Sequence, residues 1–151
     1  MSQARGWIAV LWGENFDEKA ATIFVTELRA AGLWVKMVGL NPLPISGSHG
    51  MVIVPDFTLD EALAAAQEVI GVIIPYASPG IKRLRNDPRL RMFCERAAKN
   101  EAGFVIGLLD EGDIDDLALF PNGTSNLVSY PIRENLVEFG RDLAKMFGAL
   151  V

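Results

Sequence analysis

The sequence predicts one α/β domain, a three-layer sandwich in which a mostly parallel sheet is covered by helices on both faces. Several short runs are apolar without interruption, as strands buried on both faces must be. Between them lie segments whose apolar residues recur at helical spacing. The 151 residues contain no internal repeat, low-complexity tract or linker, so a single domain spanning 1–151 is expected.

Taken in order, Trp7-Ile8-Ala9-Val10-Leu11-Trp12 reads as the first buried strand. A helix follows from about Phe16 to Ala31, with Ala20, Ile23, Phe24, Leu28 and Ala31 on its apolar side and Gly32 as its stop. Trp34 to Val38 is the second strand. Asn41 to Gly50, rich in Pro, Gly and Ser, is a loop or irregular hairpin, and Met51 to Val54 is a short strand. Thr58-Leu59-Asp60-Glu61 has the form of a capping box opening a short helix through the alanine run. Val69 to Pro75 is another buried strand, Arg89 to Asn100 a helix burying Leu90, Phe93, Cys94 and Ala97, and Phe104 to Leu109 a further apolar strand. Asp110 to Asn126 is polar and takes no assignment. A strand at Leu127 to Tyr130 and a helix from about Arg133 to Phe147 complete the chain.

Composition narrows the function classes. Half of the residues are apolar and 22% are charged, as in a packed globular domain. The net charge of -5 argues against nucleic acid or an anionic membrane as partner, because both demand clustered Lys and Arg. The one basic run, Lys82-Arg83-Leu84-Arg85, ends at once in Asn86-Asp87-Pro88 and reads as a solvated helix face. A single cysteine, Cys94, excludes an internal disulfide and any zinc site built of several thiolates. On the apolar side of its helix it reads as an inert buried thiol. No apolar run suits a signal peptide or a membrane span, so a cytoplasmic setting is expected. No G-x-G-x-x-G follows Trp12 and no P-loop is present, so dinucleotide and nucleoside-triphosphate sites lack their phosphate cradle.

Three passages together resemble the ThiJ/PfpI superfamily, whose members share a flavodoxin-like core with the class I glutamine amidotransferases. They are the opening strand with Gly13-Glu14-Asn15-Phe16-Asp17-Glu18 and the turn Ala30-Ala31-Gly32-Leu33-Trp34-Val35, then Val54-Pro55-Asp56-Phe57-Thr58-Leu59-Asp60-Glu61, then Val72-Ile73-Ile74-Pro75 with Gly80 and Leu84 to Leu90. Their order and spacing cover roughly the first 110 residues. The resemblance implies a flavodoxin-like sandwich, a homodimer, and a site at a strained turn after the strand ending near Leu109. In the family that turn lifts a nucleophilic cysteine into the site, with its thiolate favoured by backbone N–H groups and a helix N-terminus. Here Leu109 occupies the cysteine's place, in Gly107-Leu108-Leu109-Asp110-Glu111-Gly112, and leucine has no nucleophilic atom. The family's paired glycines are replaced by Tyr76 and Ala77, followed by Ser78 and Pro79. The only histidine, His49, lies in a different loop. A cysteine–histidine enzyme is therefore not expected.

The vestigial site would comprise Glu18, Tyr76, Ala77, Leu109 and Asp110. Glu18 matches the glutamate that, in the family, hydrogen-bonds the cysteine, yet Asn15-x-x-Glu18 also has the form of a capping box. The acids Asp110, Glu111, Asp113, Asp115 and Asp116 follow a strand whose end opens on the ligand crevice of such a sheet. Among them Asp110, Glu111 and Asp113 are candidate ligands for Mg²⁺ or Ca²⁺, or the cluster caps a short helix and is otherwise solvated. His49 reads as a surface-loop residue, and Trp12 with Tyr76 either lines a pocket or fills space. No cofactor is expected. The leading functional expectation is a non-catalytic domain that binds a small ligand or a second copy of itself. The alternatives are an enzyme using Glu18 with Asp110 or Glu111, through a metal or as an acid–base pair, and a regulatory partner-binding domain.

Overall fold

A computed structural model describes residues 6–41, 44–75, 84, 86–107, 127–131 and 135–150. Six strands form one sheet: β1 (Trp7–Trp12), β2 (Val35–Gly39), β5 (Phe57–Thr58), β6 (Val69–Ile74), β7 (Gly103–Gly107) and β8 (Leu127–Tyr130). Their order across the sheet is β5-β2-β1-β6-β7-β8, and every pairing is parallel. The chain therefore builds outward from β1 on one side, then returns and builds outward on the other. That reversal places a topological switch point between β1 and β6. β3 (Ile45–Ser46) and β4 (Val52–Ile53) form a separate antiparallel ribbon.

Four helices are described: α1 (Glu18–Ala30), α2 (Leu59–Ala64), α3 (Pro88–Lys99) and α4 (Leu136–Gly148). α1 and α4 pack together over one face, where Phe24 meets Tyr130 edge-on at 5.2 Å and Phe139 at 6.0 Å. Phe147 of α4 lies over Gly71 and Gly103, and a Cβ on Gly71 would come within 2.5 Å of its ring. On the other face, the Trp7 indole N–H donates to the Ala65 carbonyl, and its ring packs on Phe57 and Phe93. All six residues of β1 are buried, as the uninterrupted apolar run demands.

The helix ends are set largely by local contacts. Thr58 and Glu61 form the reciprocal capping box, Gly32 takes φ +84 beyond the end of α1, and Asp87 caps α3 ahead of Pro88. One expectation fails. α1 is not opened by an Asn15–Glu18 capping box, because Asn15 stands at φ +65, outside the extended region an N-cap occupies. The cap is Asp17, whose carboxylate accepts from the N–H groups of Lys19 and Ala20 at 3.0 and 3.3 Å. Glu18 is released from the capping role.

Candidate functional site

Because all six strands run parallel, their C-terminal ends share one edge of the sheet, and α1 starts there. The Asp17 N–H donates to the Pro75 carbonyl at 2.8 Å, tying the start of α1 to the end of β6 beside the switch point. Glu18, the first residue of α1, is only 5% exposed and is the one buried charged side chain among the described residues.

Its carboxylate is turned onto the tip of the β3–β4 ribbon. Oε2 accepts from the backbone N–H groups of His49 at 2.7 Å and Met51 at 3.0 Å. Oε1 accepts from the Ser48 hydroxyl at 3.0 Å and lies 3.3 Å from His49 Nδ1. Burial by itself would raise the pKa of this carboxyl. The hydrogen bonds from the N–H groups of Met51, Glu18 itself and His49, with the Ser48 hydroxyl, outweigh that cost and hold it at about 2 against an ordinary 4.5. Glu18 is therefore an anion at neutral pH, held between helix and ribbon as a clasp.

The surrounding packing requires this arrangement. A Cβ on Gly47 would lie 2.5 Å from Glu18 Cγ and Cδ and 2.7 Å from Trp12 Cη2, so only glycine lets the ribbon pass between them. Trp12 is fully buried, donates its indole N–H to the Ile45 carbonyl at 3.2 Å and meets Phe16 edge-on. Of its two expected roles, it takes the space-filling one. His49 is in a surface turn as expected, with a side chain 84% exposed, yet it also touches Glu18. A cleft of about 370 Å³ opens beside this cluster, lined by Glu18, Lys19, Thr22, His49 and Met51.

Two further residues lie off the clasp. Tyr130, at the end of β8, is fully buried, and its hydroxyl has no hydrogen-bond partner among the described residues. Burial, with the Asp17 carboxylate nearby, pushes its ionisation far above the usual range. Its place at the sheet's C-terminal edge was the one signal available for it. Cys94 is fully buried on α3, and burial with the Glu95 charge pushes its thiol up to about 12. Iodoacetamide at about pH 8 is expected to leave Cys94 unmodified in the native protein and to alkylate it in urea, as read by intact mass. Prompt labelling of the folded protein would show that the thiol is accessible.

Of the residues expected at the site, the structure places Glu18. Tyr76, Ala77, Leu109, Asp110, Glu111 and Asp113 lie outside the described residues, as do Asp115 and Asp116. No group of three or more His, Cys, Asp or Glu side chains placed for a metal occurs among the described residues, nor does a helix long and apolar enough to cross a membrane.

The sequence model of the DJ-1/PfpI family matches residues 7–106. The fold is similar to DJ-1beta of Drosophila melanogaster, with TM-score 0.76 and 15% identity over 95% of this chain and 91% of that one. It is also similar to a ThiJ/PfpI domain protein from Brachyspira murdochii, with TM-score 0.74 and 15% identity over 98% of this chain and 100% of that one. A third similar structure is a two-domain protein from Anabaena variabilis with DJ-1/ThiJ/PfpI-like and ferritin-like domains, at TM-score 0.74 and 17% identity. That match covers 95% of this chain, which spans 48% of the two-domain protein. No curated protein sequence matches the chain.

Proposed function

The chain belongs to the DJ-1/PfpI family, and from that premise we propose that it is a non-catalytic member that works by association, pairing with a second copy of itself through the β3–β4 ribbon. The observation that carries this reading is the ribbon itself. Met51, Val52 and Val54 are 49%, 57% and 82% exposed, three large apolar side chains within four residues. Apolar side chains clustered on a surface mark association sites. Glu18 holds the turn beside them rigid, so little conformational freedom is lost when a partner docks.

The chemistry of the site supports a non-catalytic role. Leu109 stands where the sequence resemblance puts the family's cysteine. Glu18, the acid that an acid–base or metal-dependent reading would employ, has its oxygens occupied by the ribbon. The cleft of about 370 Å³ beside His49 favours small-ligand binding as the second reading, since it falls within the size range of ligand pockets. A cytoplasmic setting, in which Cys94 stays reduced, completes the proposal.

Light scattering coupled to size exclusion tests the association. The wild-type chain is expected to elute as a dimer at about 10 µM, and Val52→Asp with Val54→Asp as a folded monomer, because burying two carboxylates in an apolar contact is prohibitive. A wild-type monomer at that concentration, or a dimer indifferent to both substitutions, would sink the reading.

A further inference from the structure

The cleft beside the clasp holds one imidazole, and the hydrogen bonds around it decide which ring nitrogen carries the proton. His49 Nδ1 faces two oxygens, Ser48 Oγ at 3.1 Å and Glu18 Oε1 at 3.3 Å. The Glu18 carboxylate is an anion and can only accept. The Ser48 hydroxyl gives its proton to Glu18 Oε1 at 3.0 Å and so presents a lone pair to the ring. With acceptors on both sides, Nδ1 carries the hydrogen, and in the neutral ring Nε2 is left as a bare acceptor. Nε2 makes no hydrogen bond among the described residues, and the side chain is 84% exposed. A buried carboxylate thus sets the tautomer of an exposed imidazole, on a backbone whose own N–H is held by Glu18 Oε2 at 2.7 Å.

The other walls of the cleft are of different kinds. Lys19 is exposed on the first turn of α1, and its ammonium makes no ion pair among the described residues. Thr22 turns its hydroxyl back on the helix, donating to the Glu18 carbonyl at 2.8 Å, so it adds little polarity to the space. Met51, 49% exposed, contributes a polarizable thioether. Within about 370 Å³ the cleft therefore brings together one fixed hydrogen-bond acceptor, one cation and a soft apolar wall.

We propose that this cleft binds a small aromatic carboxylate that also carries a ring hydroxyl, an inference that rests on the cleft being a ligand site. The ligand's O–H would donate to His49 Nε2, which is already oriented and loses little freedom on binding. Its carboxylate would meet the Lys19 ammonium. Its ring would lie against Met51, where sulfur–aromatic contact adds to burial. Either polar group alone discriminates weakly, whereas the two together separate this class from simple phenols and simple benzoates.

The test titrates the ¹⁵N-labelled full chain with 4-hydroxybenzoate. Its controls are 4-methoxybenzoate, which lacks the donor, and 4-hydroxybenzamide, which lacks the charge. 4-Hydroxybenzoate is expected to shift the His49 and Met51 backbone N–H resonances saturably. The ether should bind about threefold to tenfold more weakly, and the amide about threefold. His49→Phe keeps the backbone N–H that Glu18 holds; it should weaken 4-hydroxybenzoate about threefold to tenfold and leave the ether's affinity unchanged. Lys19→Gln should weaken the acid about threefold and leave the amide unchanged. Equal affinity for acid, ether and amide would overturn the ligand class while leaving the cleft a ligand site. No saturable shift from any of the three at millimolar concentration, in the wild type and in the Val52→Asp/Val54→Asp chain, would overturn both. The ligand series on the wild type decides the proposal even if His49→Phe disturbs the turn.

Discussion

Glu18→Ala is expected to lower the free energy of unfolding by about 2–4 kcal/mol at neutral pH, because it strands the N–H groups of His49 and Met51 and removes charge-assisted bonds that partly add. Glu18→Gln should cost somewhat less, since the amide keeps one acceptor oxygen but sets an NH₂ donor against N–H donors. Urea denaturation followed by circular dichroism measures both. The pH dependence separates the clasp from simple packing. The folded carboxyl titrates at about 2 and the unfolded one near 4.5, so the folded state binds fewer protons between those values. The stabilisation by Glu18 is fully present above pH 4.5 and disappears as pH falls toward 2. Wild type should therefore lose more stability than Glu18→Gln across that interval. Parallel pH profiles, or an alanine variant within about 0.5 kcal/mol of wild type, would remove the clasp from the account.

Phe147→Ala should be more damaging still, at about 3–5 kcal/mol, because the ring is wholly buried against the sheet. Its seat consists of absent side chains. A Cβ on Gly71 would stand 2.5 Å from Phe147 Cε1 and 2.7 Å from Cζ, and one on Gly103 3.3 Å from Cε1. Gly71→Ala is accordingly expected to cost about 1–3 kcal/mol by overpacking. The two changes touch the same space, so the double variant Gly71→Ala/Phe147→Ala should be clearly less destabilised than the sum of the singles. Strict additivity in chemical denaturation would show that glycine and ring do not share that space.

How much of this was legible in the sequence depends on the range of the interactions. Continuous apolar runs such as Trp7 to Trp12 announce strands buried on both faces, and the Thr58–Glu61 box and Gly32 mark helix ends through contacts a few residues long. Asn15-x-x-Glu18 has the same local form, but Asp17 lies closer to the helix start and takes the cap. The carboxylate of Glu18 is then drawn to N–H groups 31 and 33 residues away, a partnership no local pattern reveals. The family resemblance, by contrast, was legible because it rests on the order of several weak motifs along the chain.

The strand order has a consequence for the chain's synthesis. β1 is made first but sits at the middle of the finished sheet, with Trp7 paired to Val69 on its β6 side. At about 5–20 residues per second, a ribosome needs several seconds to supply that partner. During that interval the six apolar residues of β1 can be covered on one edge only, by β2. The nascent chain thus passes through a period in which its most water-averse segment is half dressed, a period in which exposed apolar surface is open to aggregation.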